Sequence, residues 1–499
     1  MADAKREIER KYESDDSGLP DLTGVGGVAD VLDKGLVELD ATYYDTPDER
    51  LAAAALTLRR RTGGSDAGWH LKFPVAPGVR DEIRAPLSDT VPDEIAALVR
   101  SRVRHTELVP LVRLRSARDV RHLVDADGAL LAEASVDGVT AERLSGDGGT
   151  AQWTEIEVEL ADDGDPAFLD KVEKRLRRAG VRPSKSPSKL ARALEQTGGR
   201  RPGSGRRAKP VTAGDHVLAY VREQREAILG YDPGVRRDVP DSVHQMRVAT
   251  RRMRSTLRTF GTVLDRAVTD PIAADLKWLA GELGVGRDQE VLAERLIARL
   301  DTLPPALVSG PVRKRLTTWA TAKHESALSH VVAILDSDRY LALLDTLDTL
   351  LADPPLRNKA AGKPAKVIAK AVRKDLAKVS RLVTEALDQP PGEQRDTAIH
   401  EARKKAKRTR YAGEAAIPAL GGSARSLAKS MKSLTSLLGE HQDSVMARHT
   451  LRELSAVAHA AGESAFTYGL LYGREEAAAA AVEGELPGLW REIKTGVSV

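Results

Sequence analysis

Glu7, Glu9 and Lys11 alternate along REIERKY, so on an extended strand all three share one face and Ile8 takes the other. Glu155, Glu157 and Glu159 repeat the pattern in WTEIEVEL, with Ile156 and Val158 between them. For one such strand alone, a solvated acidic face packed through its isoleucine explains the pattern equally well. Strands of matching basic alternation change the weighing: Arg59 with Arg61, His70 with Lys72, Arg80 with Glu82 and Arg84, and Arg113 with Arg115. Facing inward in a closed barrel, these side chains make a charged cavity, which must be filled by compensating charge. Carboxylates are hard oxygen donors suited to Mg²⁺ or Mn²⁺, and Arg and Lys suit phosphate oxygens. A metal–polyphosphate is the ligand class that satisfies both sets.

The elements that must position them follow from periodicity. Up to about residue 196, short runs of period two are separated by Gly, Asp and Pro clusters, with helical stretches near 92–102 and 167–179. This predicts an antiparallel sheet or barrel with helical insertions. Residues 197–212 are rich in Gly, Pro and Arg and read as a linker in preference to a polyanion contact through Arg200, Arg201, Arg206 and Arg207. From 213 to 499 the period is 3.6 in Ala- and Leu-rich segments, which predicts an all-helical domain. The domains expected are therefore 1–196 and 213–499, within an α+β chain.

The helical part repeats itself. His244 and Arg247, followed by Arg251, Arg252 and Arg254, match His400 and Arg403, followed by Lys407, Arg408 and Arg410, at an offset of 156 residues. LGVGRDQEV from Leu283 matches LGEHQDSV from Leu438 at an offset of 155, which indicates a duplicated multi-helix unit. His244, Arg247, Arg251, Arg254 and Arg258 form one stripe on a helix, and no acid lies between Val243 and Phe260. A solvated face would mix signs, so the stripe favours a polyanion. Scarce aromatics disfavour single-stranded nucleic acid over polyphosphate.

Composition sets outer limits. The chain has 499 residues, no cysteine and a net charge of +4. That excludes a thiol nucleophile and a cysteine zinc site. The charged start has no signal-like apolar region, and no apolar run approaches 18 residues, so no membrane partner and a cytoplasmic location are expected. There is no Ser, His and Asp arrangement and no GxxxxGK[ST] loop, so metal-assisted hydrolysis is the simplest chemistry. His70 reads as structural in preference to a proton carrier.

REIERKY, YYDTPDERLAAAALTLRRR and WTEIEVEL, in that order, resemble the CYTH superfamily of triphosphate tunnel metalloenzymes over about residues 5–195. The resemblance implies an eight-stranded antiparallel tunnel. Glu7, Glu9, Glu155 and Glu157 would hold metal, with Glu82 and Asp137 as additional acids and Glu159 as ligand or support. Lys11, Arg59, Arg61, Lys72, Arg113 and Arg115 would grip phosphates, joined by Lys185 or Lys189 as a late lysine. Glu7, Glu9 and Lys11 carry the catalytic expectation. Inorganic triphosphate leads over thiamine triphosphate and ATP as substrate.

The His-x-x-Arg stripes and LG motifs resemble the CHAD domain, a helical module of two similar halves, over about residues 213–495. This implies a polyphosphate groove built from His244, Arg247, Arg251, Arg254, Arg258, His400, Arg403, Lys404, Lys407 and Arg408, with Arg287 or Lys405 as further members. Asp288 and Asp443 would orient those cations. The whole is expected to be an inorganic triphosphatase joined to a polyphosphate binder, with association to polyphosphate granules an extension of that reading. A non-catalytic polyphosphate binder is the alternative.

Overall fold

A computed structural model describes residues 3–14, 18–146, 148–198 and 209–496, without the side chains of 3, 285, 287, 288, 290 and 322–326. Most of the expected linker, with Arg200, Arg201, Arg206 and Arg207, lies outside the described residues, as do the side chains of Arg287 and Asp288. The chain falls into two compact units, Met1–Arg207 and Ala208–Val499.

The first unit contains β1 (Asp3–Glu13), β2 (Asp30–Asp45), α1 (Arg50–Ala53), β3 (Thr57–Thr62), β4 (Gly68–Ala76), β5 (Val79–Ala85) and α2 (Asp93–Val103). These are followed by β6 (Val109–Val124), β7 (Leu130–Arg143), β8 (Thr150–Leu160), α3 (Ala167–Arg178), β9 (Arg182–Pro183) and α4 (Lys189–Gln196). The strand order β5-β4-β3-β2-β6-β7-β8-β1 closes through pairing of β5 with β1, giving an eight-stranded antiparallel barrel with β9 beside β1. The β4–β5 hairpin turns at Pro77–Gly78. Gly78 has φ +73°, and a Cβ there would lie 2.7 Å from the carbonyl oxygen of Glu9 on β1. Only glycine fits both conditions.

Apolar residues cover the outside of this barrel. Phe168, Leu169, Val172 and Leu176 of α3 pack on Tyr12, Ile156 and Val158. Ile95, Leu98 and Val99 of α2 pack on Leu58, Trp69, Leu71 and Ile83. Inside, the wall is charged toward one end and apolar toward the other. There, Tyr43, Val112, Leu114, Val139 and Trp153 pack against Leu190, Ala193 and Leu194 of α4, which plugs that end. Ser188 caps α4 by accepting from the Ala191 amide at 3.1 Å, so Lys189 is its first residue.

The second unit is helical. It comprises α5 (Ala213–Arg236), α6 (Ser242–Thr259), α7 (Arg266–Glu282), α8 (Gly284–Asp301), α9 (Val312–Asp336) and α10 (Asp338–Ala352). Then come α11 (Pro364–Asp388), α12 (Glu393–Leu420), α13 (Gly422–Ala460) and α14 (Phe466–Gly496). The duplicated stripes lie on α6 and α12, which pack together. The LG motif falls at the α7–α8 junction in the first repeat and inside the unbroken α13 in the second. Met246, Ala249, Met253 and Leu257 bury one face of α6, and Ile399, Ala402 and Ala406 bury one face of α12. Among the described residues, no helix is long and apolar enough to cross a membrane.

Candidate functional site: a charged barrel and a basic helical face

Antiparallel register sets the barrel's inner face. Glu9 lies opposite Glu159, Lys11 opposite Glu157 and Glu13 opposite Glu155. Lys72 lies opposite Glu82, and Arg118 opposite Asp137. A cavity of about 610 Å³ is lined by Lys5, Glu7, Glu9, Lys11, Arg59, Arg61, Lys72, Arg80, Arg84, Arg118, Glu157, Glu159 and Lys189, among others. The side chains named first from the sequence, on β1, β3, β4 and β8, therefore do converge.

Each acid on this wall has a cationic neighbour. Lys11 donates to Glu9 at 3.0 Å and also pairs with Glu157. Lys72 pairs with Glu7 and lies 3.4 Å from Glu82. Lys5 reaches Glu159 at 3.1 Å. Arg118 donates to Asp137 at 2.7 and 2.9 Å and to Glu157 at 2.7 Å. The Lys189 ammonium sits 3.0 Å from Asp137, 3.0 Å from Glu155 and 2.5 Å from Glu157.

Burial opposes charge throughout, and the neighbours decide its outcome. Glu7 is pushed up by burial and by Glu82 and Glu159, against the pull of Lys72. Glu9 is buried too, yet Lys11, Lys72 and Arg80 outweigh burial and Glu157 and hold it below the usual carboxylate range. Lys11, Lys189 and Arg118 hold Glu157 well below that range despite its burial. Burial pushes His70 down to about 4, against its hydrogen bond to the Glu82 carboxylate. His70 is buried beneath the lining side chains, with Nδ1 2.8 Å from Glu82 and Nε2 2.9 Å from the Asp66 carbonyl. Tyr43 is lowered because Arg59, Lys189 and Lys72 outweigh its burial.

Three expected residues lie elsewhere. Arg118, Val120 and His122 line the cavity, so the alternation of β6 turns Arg113 and Arg115 outward. There, with side chains 40% and 56% exposed, they approach Asp40. Their inward neighbours Val112 and Leu114 belong to the plugged, apolar end. Lys185 is exposed, and Lys189 is the late lysine that enters the barrel. Arg118 went unrecognised, although the step of two from Val112 through Leu114 and Ser116 leads to it.

The acids also divide by surroundings. Asp137, Glu155 and Glu157 bring oxygens within 4.8 Å of one another, which suits a cation, but the Lys189 ammonium lies among them. Glu82 is fully buried on the inner face, beneath the cavity-lining Lys72, Arg59 and Arg84 and beside His70. Glu7, Glu9, Glu157 and Glu159 face the cavity. Their hard-oxygen donor set fits Mg²⁺ or Mn²⁺.

In the helical unit the two stripes face each other. Burial pushes Lys407 of α12 down to about 7, reinforced by Arg403 on its own helix and by Arg251 and Arg247 of α6, against Asp443 of α13. Burial likewise lowers Arg254, with Arg258 and Arg408 nearby. Arg408 donates to the Arg258 carbonyl at 3.0 Å. His400 Nδ1 lies 2.5 Å from Gln442 Oε1. His244 lines a second cavity of about 490 Å³, beside Asp241 and Leu283. Lys404 points away, exposed and paired with Glu401, and Lys405 is tied to Asp375 at 2.6 Å. Asp396, His441 and Glu483 form another group of metal-ligand type, where Arg448 and Arg395 already balance the two carboxylates.

The CYTH domain family matches residues 5–194, and the CHAD domain family matches residues 219–452. The chain belongs to the CYTH/CHAD two-domain proteins. It is 39% identical to "Uncharacterized protein MT2285" of Mycobacterium tuberculosis strain CDC 1551, across 98% of this chain and 97% of that protein. It is equally close to "Uncharacterized protein Rv2226" of strain H37Rv. Among solved structures, PptA from Streptomyces chartreusis is 21% identical with a TM-score of 0.47, covering 56% of this chain and all of that one. The CHAD domain from the plant Ricinus communis is 25% identical with a TM-score of 0.44, covering 57% and 92%. In this CYTH/CHAD protein the charged barrel is the CYTH domain, and the facing basic stripes belong to the CHAD domain.

Proposed function

We propose that the CYTH domain hydrolyses inorganic triphosphate, or short polyphosphate, with Mg²⁺ or Mn²⁺, and that the CHAD domain binds polyphosphate. The observation that carries this reading is the pairing of the cavity acids Glu7, Glu9, Glu157 and Glu159 with lysine and arginine side chains. A ligand that brings both a divalent cation and phosphate oxygens gives each side of those pairs a new partner at once, so little charge is left stranded. Triphosphate with its metal is the smallest ligand of that kind.

Glu7, Glu9, Glu157 and Glu159 would hold the metal. When bound, it supplies charge neutralisation and Lewis acidity. Lys11, Arg59, Arg61, Lys72 and Arg118 would bind phosphate oxygens and offset charge that grows on the leaving phosphate. Asp137 and Glu155 position Lys189, and Glu82 with His70 supports Lys72 and Arg84. Tyr43 is the only aromatic ring besides the His122 imidazole among the described lining residues, which favours inorganic triphosphate over ATP or thiamine triphosphate. Cytoplasmic placement, with the CHAD domain holding the enzyme on polyphosphate granules, extends the same reading.

The test is phosphate release from triphosphate, medium-chain polyphosphate, thiamine triphosphate and ATP, each with Mg²⁺ and with Mn²⁺. Metal-dependent release is expected, fastest from triphosphate. No release from any of the four would leave a polyphosphate binder without turnover.

A further inference from the structure

The LG motif repeats beside the basic stripe, and the structure shows what its glycine does in the first copy. Gly284 opens α8 directly against Arg247 of α6. A Cβ on Gly284 would lie 2.8 Å from Arg247 Nη2, 2.9 Å from Cζ and 3.2 Å from Nε. The first two distances are shorter than real Cβ atoms keep, so any larger residue must displace the guanidinium. The Arg247 Nε is buried, so the group rests in a packed seat. Gly284 has no positive φ that would itself demand glycine. Space for the arginine is what the position requires.

The second repeat supplies an internal control. Gly439 stands at the matching position inside α13, and its Cβ would lie 3.6 Å from Arg403 Nη2, an ordinary contact. The same substitution should therefore matter in one repeat and not in the other.

We propose that Gly284 is a positioning residue of the CHAD polyanion site, holding open the seat from which the Arg247 guanidinium joins Arg251, Arg403 and Lys407. This rests on the polyphosphate-binding reading of the CHAD domain. Gly284 touches no ligand and acts only through Arg247.

The experiment measures binding of medium-chain inorganic polyphosphate to the full chain and to G284A, R247A, the double variant and G439A. Loss of one charge-assisted contact weakens binding by about tenfold in R247A, and displacement of the group by about fivefold in G284A. The double variant should bind no more weakly than R247A alone, because Gly284 has nothing left to position. G439A should stay within about twofold of the parent. Circular dichroism should show G284A folded like the parent. A parent that binds while G284A binds equally well overturns this inference alone. So does a G284A effect that persists in the R247A background, which would assign the glycine to packing. A parent that binds no polyphosphate overturns the CHAD reading and this inference with it.

Discussion

Arg115 and Arg118 stand three residues apart on β6 and face opposite sides of the barrel wall. Arg118 bridges Asp137 and Glu157 inside, while Arg115 reaches Asp40 outside. If the inner wall binds substrate, R118A should lower kcat/KM by about 100-fold, the scale of losing one preorganised charge partner. R115A should stay within about twofold, as exposed pairs do. Steady-state phosphate release measures both, and a reversal of the two effects would mean that the inner face has been assigned wrongly. Much at this scale was legible: Glu7, Glu9, Lys11, Arg59, Arg61, Lys72, Glu157 and Glu159 all reach the cavity. Arg113 and Arg115 were misread because alternation shows that residues share a face and not which face it is. On β6 the inward set changes from apolar to charged along one strand, and only the register reveals where.

Elements decide what stripes and plugs become. SKSPSKLARAL shows a lysine before an amphipathic helix, but not that Leu190, Ala193 and Leu194 fill a barrel end and thereby carry Lys189 in among three carboxylates. The stripes on α6 and α12 were likewise legible from helical spacing, whereas their facing each other depends on packing across more than a hundred residues. That packing concentrates positive charge, and burial with Arg403, Arg251 and Arg247 brings Lys407 down to about 7. A bound polyanion favours the protonated amine, so binding should draw a proton onto Lys407. Affinity for polyphosphate should then rise as pH falls from about 8 toward 6, through the value near 7. K407R stays charged across that range and should flatten the Lys407 part of the profile. Isothermal titration in buffers of different ionisation enthalpy reads the proton uptake directly. Equal uptake by the parent and K407R near pH 7.5 would remove Lys407 from this role.

The two units each have a core of their own. The first packs α3 and α2 on the outside of the barrel, and the second buries the apolar faces of α6 and α12 with their neighbours. Two cores and two charged sites predict two separable activities. In E7A/E9A the cavity loses carboxylates from the proposed metal-binding set, and turnover of triphosphate should fall at least about 100-fold. The same change leaves Lys72 and Lys11 with fewer acidic partners, which makes the CYTH cavity more basic. Charge alone would therefore keep or raise polyanion affinity, so a fall in polyphosphate binding could not be blamed on lost cations. Binding within about twofold of the parent is expected, because the α6 and α12 stripes are untouched. Phosphate release and polyphosphate titration on one preparation, with circular dichroism to confirm folding, measure both quantities. Loss of turnover and binding together in a folded variant would show that the halves act as one site, and the division of labour proposed for them would fail.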